Sequence, residues 1–383
     1  MTAFRFFTAG ESHGPCLTAM VEGLPAGLKV RSERIDQDLA RRQRGYGRGG
    51  RMAIETDRVE ILSGLRFGET IGSPITLRIE NKDWSNWQEK MAPCGSPAGE
   101  PVTAARPGHA DYSGIQKYNR QDIRDILERS SARETAARVA AGAVAKEFLA
   151  ACGVEVFSRV TDIGGIKASP DRWPTSEEAT APEFNCFDPH AQDAMKEHIR
   201  AAKEAGDTLG GIFEVCVRGV PVGLGSHIQW DRRLDARLAA AIMSIQAIKG
   251  VEVGDGFRYA ALPGSSAHDE MYVDDAKRVY RRTNHAGGIE GGMSNGEEIL
   301  LRAVMKPIPT LMKPLSTVDI VTGEEVLAAK ERSDVCAVPA ASVVGEAMAA
   351  LVLAGEVREK FGGDSMEEVL MAIYAYRERL TGM

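Results

Sequence analysis

Two histidines lie in short glycine-containing turns whose neighbours suit proton transfer. Residues 10–14 read Gly-Glu-Ser-His-Gly, which places His13 beside a hydroxyl and a carboxylate. Residues 106–111 read Arg-Pro-Gly-His-Ala-Asp, which places His109 between an arginine and a carboxylate. Histidine is the side chain best suited to exchange protons near neutral pH. A lone histidine is more often a satisfied polar residue, but two in such turns favour acid–base chemistry.

An arginine-rich segment, residues 41–51, reads RRQRGYGRGGR and holds five arginines and four glycines. Glycine lets the backbone approach a ligand closely, and guanidinium groups bind phosphate and carboxylate through paired hydrogen bonds. We therefore favour a cradle for anions. The alternatives are a solvated loop, an arginine–glycine arm for nucleic acid, and a dinucleotide fingerprint at Gly45, Gly47 and Gly50. The fingerprint needs a preceding strand, whereas residues 32–43 predict a helix.

Residues 129–133, Arg-Ser-Ser-Ala-Arg, predict a second anion site where a capping-box pattern from Ser131 to Glu134 opens a helix. Unpaired N–H groups and the helix dipole favour a phosphate at such an end. The alternative is a capped helix with surface arginines, and both can hold. The GxSxG patterns at 10–14 and 292–296 do not indicate a serine hydrolase, because each precedes a predicted strand. A zinc site is not expected, since no HxH or HxxxH pair occurs.

The elements that must position these turns follow from apolar periodicity. Strands are predicted at 17–21, 59–62, 75–79, 212–217 and 299–304, and helices at 131–151, 234–249 and 339–361. Strands cluster and helices are few, which predicts an α+β fold with largely antiparallel sheets rather than a doubly wound sheet. Residues 82–105 predict a long surface loop or lid.

Composition limits the classes of partner. The 383 residues carry a formal net charge of −7, which argues against nucleic-acid or membrane-surface binding by bulk electrostatics. An anion site must then come from locally concentrated arginine. The six cysteines are scattered without a CxxC pair, which fits a reducing compartment. No signal peptide and no run of eighteen apolar residues is evident, so we expect a cytoplasmic protein without a membrane segment.

Nine motifs together are more specific than any one of them. In chain order they are GESHG, RRQRGYGRGGRM, RPGHADY, RSSARET, GDTLGG, WDRRLDARLAAAIMSIQAIKG, NHAGGIEGGMSNG, KPIPT and ERSDVCAVPA. Their order and approximate spacing resemble the chorismate synthase family, over nearly the whole chain.

The resemblance implies a single unit over residues 1–383, in which helices lie between antiparallel sheets as a β-α-β sandwich. It implies the last step of the shikimate pathway, an anti-1,4-elimination of phosphate from 5-enolpyruvylshikimate-3-phosphate that gives chorismate. Reduced FMN is required without net redox change. No reductase domain is evident, so reduced FMN would come from a separate, NADP-linked reductase. A homotetramer is the assembly that the resemblance implies.

The resemblance also implies roles for residues at matching motif positions. His13 would be the general acid at the departing phosphate, His109 would protonate or stabilise reduced flavin, and Asp334 would serve flavin N5 and the C6 proton. Substrate binding is implied for Ser12, Arg42, Arg48, Arg51, Arg133 and Arg332. Flavin contacts are implied for Arg129, Ser130, Ser131, Ala132, Gln246, Ala247, Gly292, Lys306, Pro307, Ile308, Pro309, Thr310 and Arg332.

Two positions depart from the family pattern. Gln246 stands where many members have asparagine, and Thr208 stands where serine is commoner. Both changes keep the chemical type, so we expect the contacts to survive with altered reach. Two competing hypotheses are a flavin- or nicotinamide-dependent oxidoreductase and an RNA-binding protein that uses residues 41–51.

Overall fold

The computed structural model describes residues 4–49, 56–169, 173, 178, 183–275, 278–328 and 334–381. The strands, in chain order, are β1 Arg5–Ala9, β2 Cys16–Glu22, β3 Val59–Ser63, β4 Leu65–Arg66, β5 Glu69–Thr70, β6 Ile75–Glu80, β7 Glu155–Ile163, β8 Ile166–Lys167, β9 Gly211–Arg218, β10 Ile248–Val253, β11 Met271–Val273, β12 Val279–Arg281, β13 Ile289–Glu290, β14 Met293–Ser294, β15 Ile299–Met305, β16 Ser316–Val318 and β17 Glu325–Leu327. The helices are α1 Ser32–Gln43, α2 Asp111–Tyr118, α3 Arg124–Ser130, α4 Thr135–Ala151, α5 Pro189–Glu204, α6 Leu234–Met243, α7 Gly264–Ala267, α8 Val338–Phe361 and α9 Met366–Thr381.

Two antiparallel sheets form the outer layers of the core. One has the strand order β1-β2-β6-β3 and the other β10-β15-β9-β7-β8. Alternate residues along each strand point to the same face. On β2 this buries Leu17, Ala19 and Val21, while Met20 between them is exposed. One face of each sheet is therefore available to cover helices.

The apolar helices α4 and α8 lie between these sheets. Helix α4 packs on β2 and β6, α8 packs on β7 and β9, and the two helices pack against each other. They approach closely because Gly142 of α4 has no side chain, and a Cβ there would lie 2.4 Å from the Cβ of Ala347. This layering confirms the predicted α+β sandwich of helices between antiparallel sheets.

Helix α8 would be long and apolar enough to cross a membrane by length and composition. However, 89% of its most apolar window is buried inside the protein. Its burial on both sides identifies it as the central helix of the core.

Two predicted helix boundaries were wrong. The helix predicted over 234–249 ends at Met243, and Ile248–Val253 instead pairs with β15 as an edge strand. The capping box at Ser131 is only half formed, because Ser131 accepts the Arg133 N–H while the Glu134 side chain bonds elsewhere. Helix α4 therefore begins at Thr135, after a single 3-10 turn over Ala132–Glu134.

Helices are also more numerous than predicted. Helix α5 has a signal in the sequence, since Asp188 caps its first turn and Pro189 begins it. Helix α9 has another, a reciprocal capping box between Ser365 and Glu368. Both are amphipathic surface helices whose apolar side packs on the core.

The segment 82–105 begins with a 3-10 turn over Lys82–Asn86 and continues as turns and irregular chain, most of it exposed. Its behaviour as a lid stays a prediction, as does the assignment of residues 1–383 to one unit.

Candidate active site

The turn that carries His13 connects β1 to β2 and is docked on helix α3. Gly10 adopts a φ of +106°, and a Cβ there would lie 2.4 Å from the carbonyl oxygen of Cys16, so the turn requires glycine. Ser12 donates its N–H to the backbone of Glu128, 3.0 Å away. The His13 ring is within hydrogen-bond distance of the Glu128 carboxylate, with Nδ1 2.9 Å from Oε1. The turn and α3 thus fix this histidine from two sides.

An aromatic side chain covers the same ring. Trp87, from the segment 82–105, stacks on His13 with ring centroids 3.9 Å apart and planes 25° apart. Its indole N–H donates to Asp83, 3.0 Å away. The stack shields one face of the imidazole from water.

A buried cluster joins two of the predicted anion-binding arginines to one carboxylate. Arg42 bonds to Asp57 at 2.8 Å, and Arg133 bonds to both of its oxygens at 2.6 and 2.8 Å. Burial lowers the pKa of Arg42, and repulsion from Arg133 and Arg48 lowers it further against the attraction of Asp57. Burial alone would raise the pKa of Asp57, but both arginines together hold it below its ordinary value. Two guanidinium groups therefore converge on one buried carboxylate.

Asn81 connects this cluster to the His13 turn. Its side-chain oxygen accepts from Arg133 at 2.9 Å, and its amide donates to the carbonyl oxygens of Glu11 and Gly14 at 3.1 and 2.8 Å. Ser131 also reaches the turn, with its hydroxyl 3.2 Å from that of Ser12. Five residues singled out in the sequence are therefore assembled in one contact network, namely Ser12, His13, Arg42, Ser131 and Arg133.

The end of the arginine-rich segment meets the chain just before α8. Arg48 and Asp334 form an ion pair at 2.8 Å, and the N–H of Gly49 donates to the same carboxylate at 2.6 Å. Arg48 and Asp334, two predicted site residues far apart in sequence, are thus in direct contact. Arg51 and Arg332, also predicted as ligands, lie outside the described residues.

His109 belongs to a second polar cluster. Its Nδ1 lies 2.5 Å from Asp111, which also bonds to Arg106 at 2.8 Å. Burial alone would raise the pKa of Asp111, but the hydrogen bonds from His109 and Arg106 lower it well below its ordinary value. Arg106 points on toward Thr310, and the Lys306 ammonium donates to the backbone oxygen of Gly108. The predicted flavin residues Lys306 and Thr310 therefore flank this histidine.

Glu134 lies between the two clusters. The Gln246 side chain donates to it at 3.2 Å, while Thr8 and Arg138 bond to it at 2.6 and 2.8 Å. Burial alone would raise the pKa of Glu134, but the charge of Arg138 and these hydrogen bonds lower it. Arg129 also approaches Glu134, at 3.7 Å. A single carboxylate thus orders several residues predicted to contact flavin.

Ala247, the residue after Gln246, connects the residues around Glu134 to the His109 cluster. It adopts a φ of +67°, in the left-handed region that a residue with a side chain rarely occupies. Its carbonyl oxygen accepts the Lys306 N–H at 2.9 Å. The backbone turn at Ala247 leads from α6, which ends at Met243, into β10, and its hydrogen bond places Ala247 beside Lys306.

Other predicted flavin residues serve the local fold. The Ser130 hydroxyl bonds back to Ile126 within α3 at 2.9 Å, and Ala132 accepts from Thr135 at 2.6 Å. Ile308, between Pro307 and Pro309, accepts from Thr208 at 2.8 Å. This last contact joins the GDTLGG and KPIPT motifs.

Gly292 is not brought into these clusters. Its carbonyl oxygen accepts from Leu234 at the start of α6, and a Cβ on it would meet the Arg233 side chain at 2.8 Å. Gln246 follows the opposite end of α6, a helix about 15 Å long at 1.5 Å per residue. A flavin contact by Gly292 stays a prediction.

Motif reasoning missed the carboxylates and the amide that organise the site, namely Asp57, Asn81, Glu128 and Glu134. Each is buried, and buried charges in proteins are normally paired. Glu134 lies inside the quoted RSSARET motif, so the signal was present there. Asp57 and Glu128 gave no signal in the sequence, since their partners are set by the tertiary fold.

Comparisons with known proteins agree with this geometry. The sequence model of the family described as chorismate synthase matches residues 4–357. A chorismate synthase of Geobacter metallireducens is 60% identical over 379 residues, which cover 95% of this chain and 96% of that protein. One from Alkaliphilus metalliredigens is 58% identical, with 96% and 97% covered. A solved structure entitled "Crystal Structure of Chorismate Synthase" matches with a TM-score of 0.81 and 44% identity, covering 99% of both chains.

Fold and sequence together define a carbon–oxygen lyase of the shikimate pathway. The chain belongs to the chorismate synthase family.

Proposed function

We propose that the chain converts 5-enolpyruvylshikimate-3-phosphate to chorismate by anti-1,4-elimination, with reduced FMN bound and no net change in redox state. The observation that carries the proposal is the contact network in which Arg42 and Arg133 share Asp57 and reach the His13 turn through Asn81. This network joins two arginines to the turn that carries His13. The substrate has a phosphate and two carboxylates, and guanidinium groups suit such anions.

In the proposed reaction the bond between carbon 3 and the phosphate oxygen breaks, and a proton leaves carbon 6. The arginines bind the substrate anions and stabilise the charge that develops on the departing phosphate. His13 gives a proton to that phosphate. Asp334, held by Arg48 and the Gly49 N–H, accepts the proton from carbon 6.

The residues predicted to bind FMN fit a flavin. The Gln246 side-chain oxygen is buried and has no hydrogen-bond partner among the described residues. A buried acceptor without a partner is costly, and an N–H of the flavin ring system is a donor that would satisfy it. Arg129, Lys306 and Thr310 would complete the binding site, with His109 beside the reduced ring. When bound, reduced FMN would lend electron density as the phosphate departs.

The proposal extends to the setting of the reaction. The chain would act in the cytoplasm as a homotetramer, and a separate NADP-linked reductase would supply the reduced flavin. Neither nucleic acid nor membrane is a partner in this proposal. What supports the tetramer and the compartment is the family resemblance and the scattered, unpaired cysteines.

An anaerobic assay tests the reaction. The protein, dithionite-reduced FMN and 5-enolpyruvylshikimate-3-phosphate should release one phosphate and form one chorismate per substrate consumed. Oxidised FMN should support no turnover. Absence of phosphate release with reduced FMN, or consumption of NAD(P)H in proportion to substrate, would contradict the proposal.

A further inference from the structure

Glu128 contacts His13 at two points. Its carboxylate lies 2.9 and 3.0 Å from Nδ1 of the ring, and it accepts the His13 backbone N–H at 2.8 Å. The Glu128 side chain is only 2% exposed. Because both the ring and its backbone are held by one carboxylate, the ring has little freedom to rotate.

A carboxylate at one imidazole nitrogen determines which nitrogen exchanges the proton. An ionised carboxylate only accepts, so Nδ1 carries a hydrogen toward Glu128, and exchange with a ligand takes place at Nε2. We infer that Glu128 is a positioning residue that holds His13 as a proton donor through Nε2. The inference rests on the proposed role of His13 as general acid.

The surroundings of Glu128 favour its ionised form. Burial alone would raise its pKa, but the hydrogen bonds and charge of His13 and the nearby Arg124 lower it. Arg124 lies 3.3 Å from the carboxylate and 5.0 Å from the centre of the Trp87 ring. Arg124 therefore contacts both the carboxylate that is hydrogen-bonded to the imidazole and the indole that is stacked on the imidazole.

Trp87 provides a built-in reporter for His13. A protonated imidazole in van der Waals contact with an indole quenches its fluorescence by accepting an electron from the excited ring, and neutral imidazole does so much less. The stacking distance of 3.9 Å meets this condition. The charged groups near this stack are Glu11 on the turn, Glu128, Arg124 and Arg129 on α3, and Asp83 and Lys90 beside Trp87.

The experiment is a pH titration of Trp87 fluorescence in the full-length protein without ligands. The other tryptophans, Trp84, Trp173 and Trp230, are replaced by phenylalanine so that one emitter remains. The pH-dependent change in fluorescence that is lost in the His13→Asn variant is assigned to the stack of His13 on Trp87.

Two variants should move that transition in opposite directions. Glu128→Gln removes the negative charge, so quenching should begin at lower pH. Arg124→Gln removes a cation and keeps Glu128, so quenching should begin at higher pH. Asp125→Asn, an exposed carboxylate on the same helix paired with Arg120, should leave the transition in place. A loss of packing alone would not move the pH of the transition in opposite directions in the Glu128→Gln and Arg124→Gln variants.

Activity gives a second readout. Glu128→Gln should lower kcat for phosphate release by about ten- to a hundredfold with little change in KM, because it affects proton donation rather than anion binding. The inference is overturned if Glu128→Gln and Arg124→Gln both keep the wild-type transition, whether or not phosphate is released. Because the titration needs no turnover, a wild-type protein that releases no phosphate would contradict the proposed function alone. Should Glu128→Gln fail to fold, the Arg124→Gln titration decides.

Discussion

Gln246 donates its side-chain N–H to Glu134 at 3.2 Å, and its carbonyl oxygen is thereby turned away from that carboxylate. An ionised carboxylate only accepts hydrogen bonds, so the amide must present its nitrogen to Glu134. The oxygen is buried without a partner among the described residues. The amide at position 246 therefore gives its donor end to Glu134, and in the proposed function its acceptor end would face the flavin.

Gln246→Ala should therefore weaken binding of reduced FMN by about tenfold or more, since one hydrogen bond to the ligand is lost. Gln246→Asn should lose less, because the amide remains but is one methylene shorter. Anaerobic titration of the protein with reduced FMN measures both affinities. Gln116→Ala, at an exposed position on α2, is the control. Equal FMN affinity in wild type and Gln246→Ala would show that this amide does not contact the flavin.

Asp57→Asn should destabilise the folded protein strongly. Asp57 is 3% exposed and is hydrogen-bonded to two buried arginines, which would both lose the carboxylate that they share. Removing one partner from a buried ion pair typically costs about 3–5 kcal/mol. Urea denaturation gives the free energy of unfolding. Arg58→Gln, which alters a neighbouring exposed and loose pair with Asp36, should change it by less than about 1 kcal/mol.

A folded Asp57→Asn variant should also bind substrate differently. Without the Asp57 carboxylate, which both guanidinium groups contact, Arg42 and Arg133 repel each other more strongly and lose the geometry that it fixes. We expect KM for the anionic substrate to change and kcat to fall, as measured by anaerobic phosphate release. Wild-type stability and kinetics together would show that Asp57 organises neither arginine.

Sequence patterns predicted individual strands and helices because these depend on local periodicity, whereas the layering of helices between sheets was implied by the family resemblance. Alternation of buried and exposed residues in β2 is visible in the sequence, and so is the apolar run that becomes α8. The region after α6 could not be assigned in this way. The predicted helix 234–249 passes the end of α6 at Met243, and its last two residues, Ile248 and Lys249, begin a strand that pairs with β15.

The same distinction between local patterns and tertiary contacts applies to the site. The sequence singled out His13, Arg42 and Arg48 because each lies in a segment of unusual composition, whereas Asp334 was implied by the family resemblance. Their partners were missed where they lie far away along the chain, as with Glu128, which is 115 residues from His13. The position of a buried carboxylate depends on the cation that it neutralises in the folded protein. Its neighbours in the sequence do not show which cation that is.

Acid should destabilise the protein partly through Asp111. The folded-state pKa of this carboxyl is lowered below its ordinary value of 3.8, with hydrogen bonds from His109 and Arg106 outweighing burial. The unfolded chain therefore binds the proton more readily than the folded one. The stabilisation is fully present above the ordinary value and is lost as the pH falls below it.

The test is urea denaturation between about pH 6 and pH 3. The Asp111→Asn variant should be less stable than wild type at the upper end and should lose less stability on acidification. Asp125→Asn, whose carboxylate is exposed, should follow the wild-type slope. Parallel curves for wild type and Asp111→Asn would show that Asp111 contributes nothing to the acid sensitivity.

Substitutions at two helical glycines distinguish the effect of close packing on stability from the effect of helix propensity. In an ordinary helix, glycine to alanine stabilises by about 1 kcal/mol. At Gly142 the new Cβ would lie 2.4 Å from the Ala347 Cβ and 2.5 Å from its Cα, so α4 and α8 must separate. Such overpacking costs about 1–3 kcal/mol and more where backbone must move. Gly142→Ala should therefore lower the free energy of unfolding.

Gly355→Ala is the matched control within α8. The nearest atom to its new Cβ is Phe4 Cδ1 at 3.7 Å, an ordinary contact. This variant should gain up to about 1 kcal/mol, so the two substitutions should change the urea midpoint in opposite directions. If both raised it, the close approach of α4 and α8 at Gly142 would not constrain the core. Because α4 follows directly from Arg133 and α8 begins just after Asp334, Gly142→Ala should also reduce the rate of phosphate release, and Gly355→Ala should not.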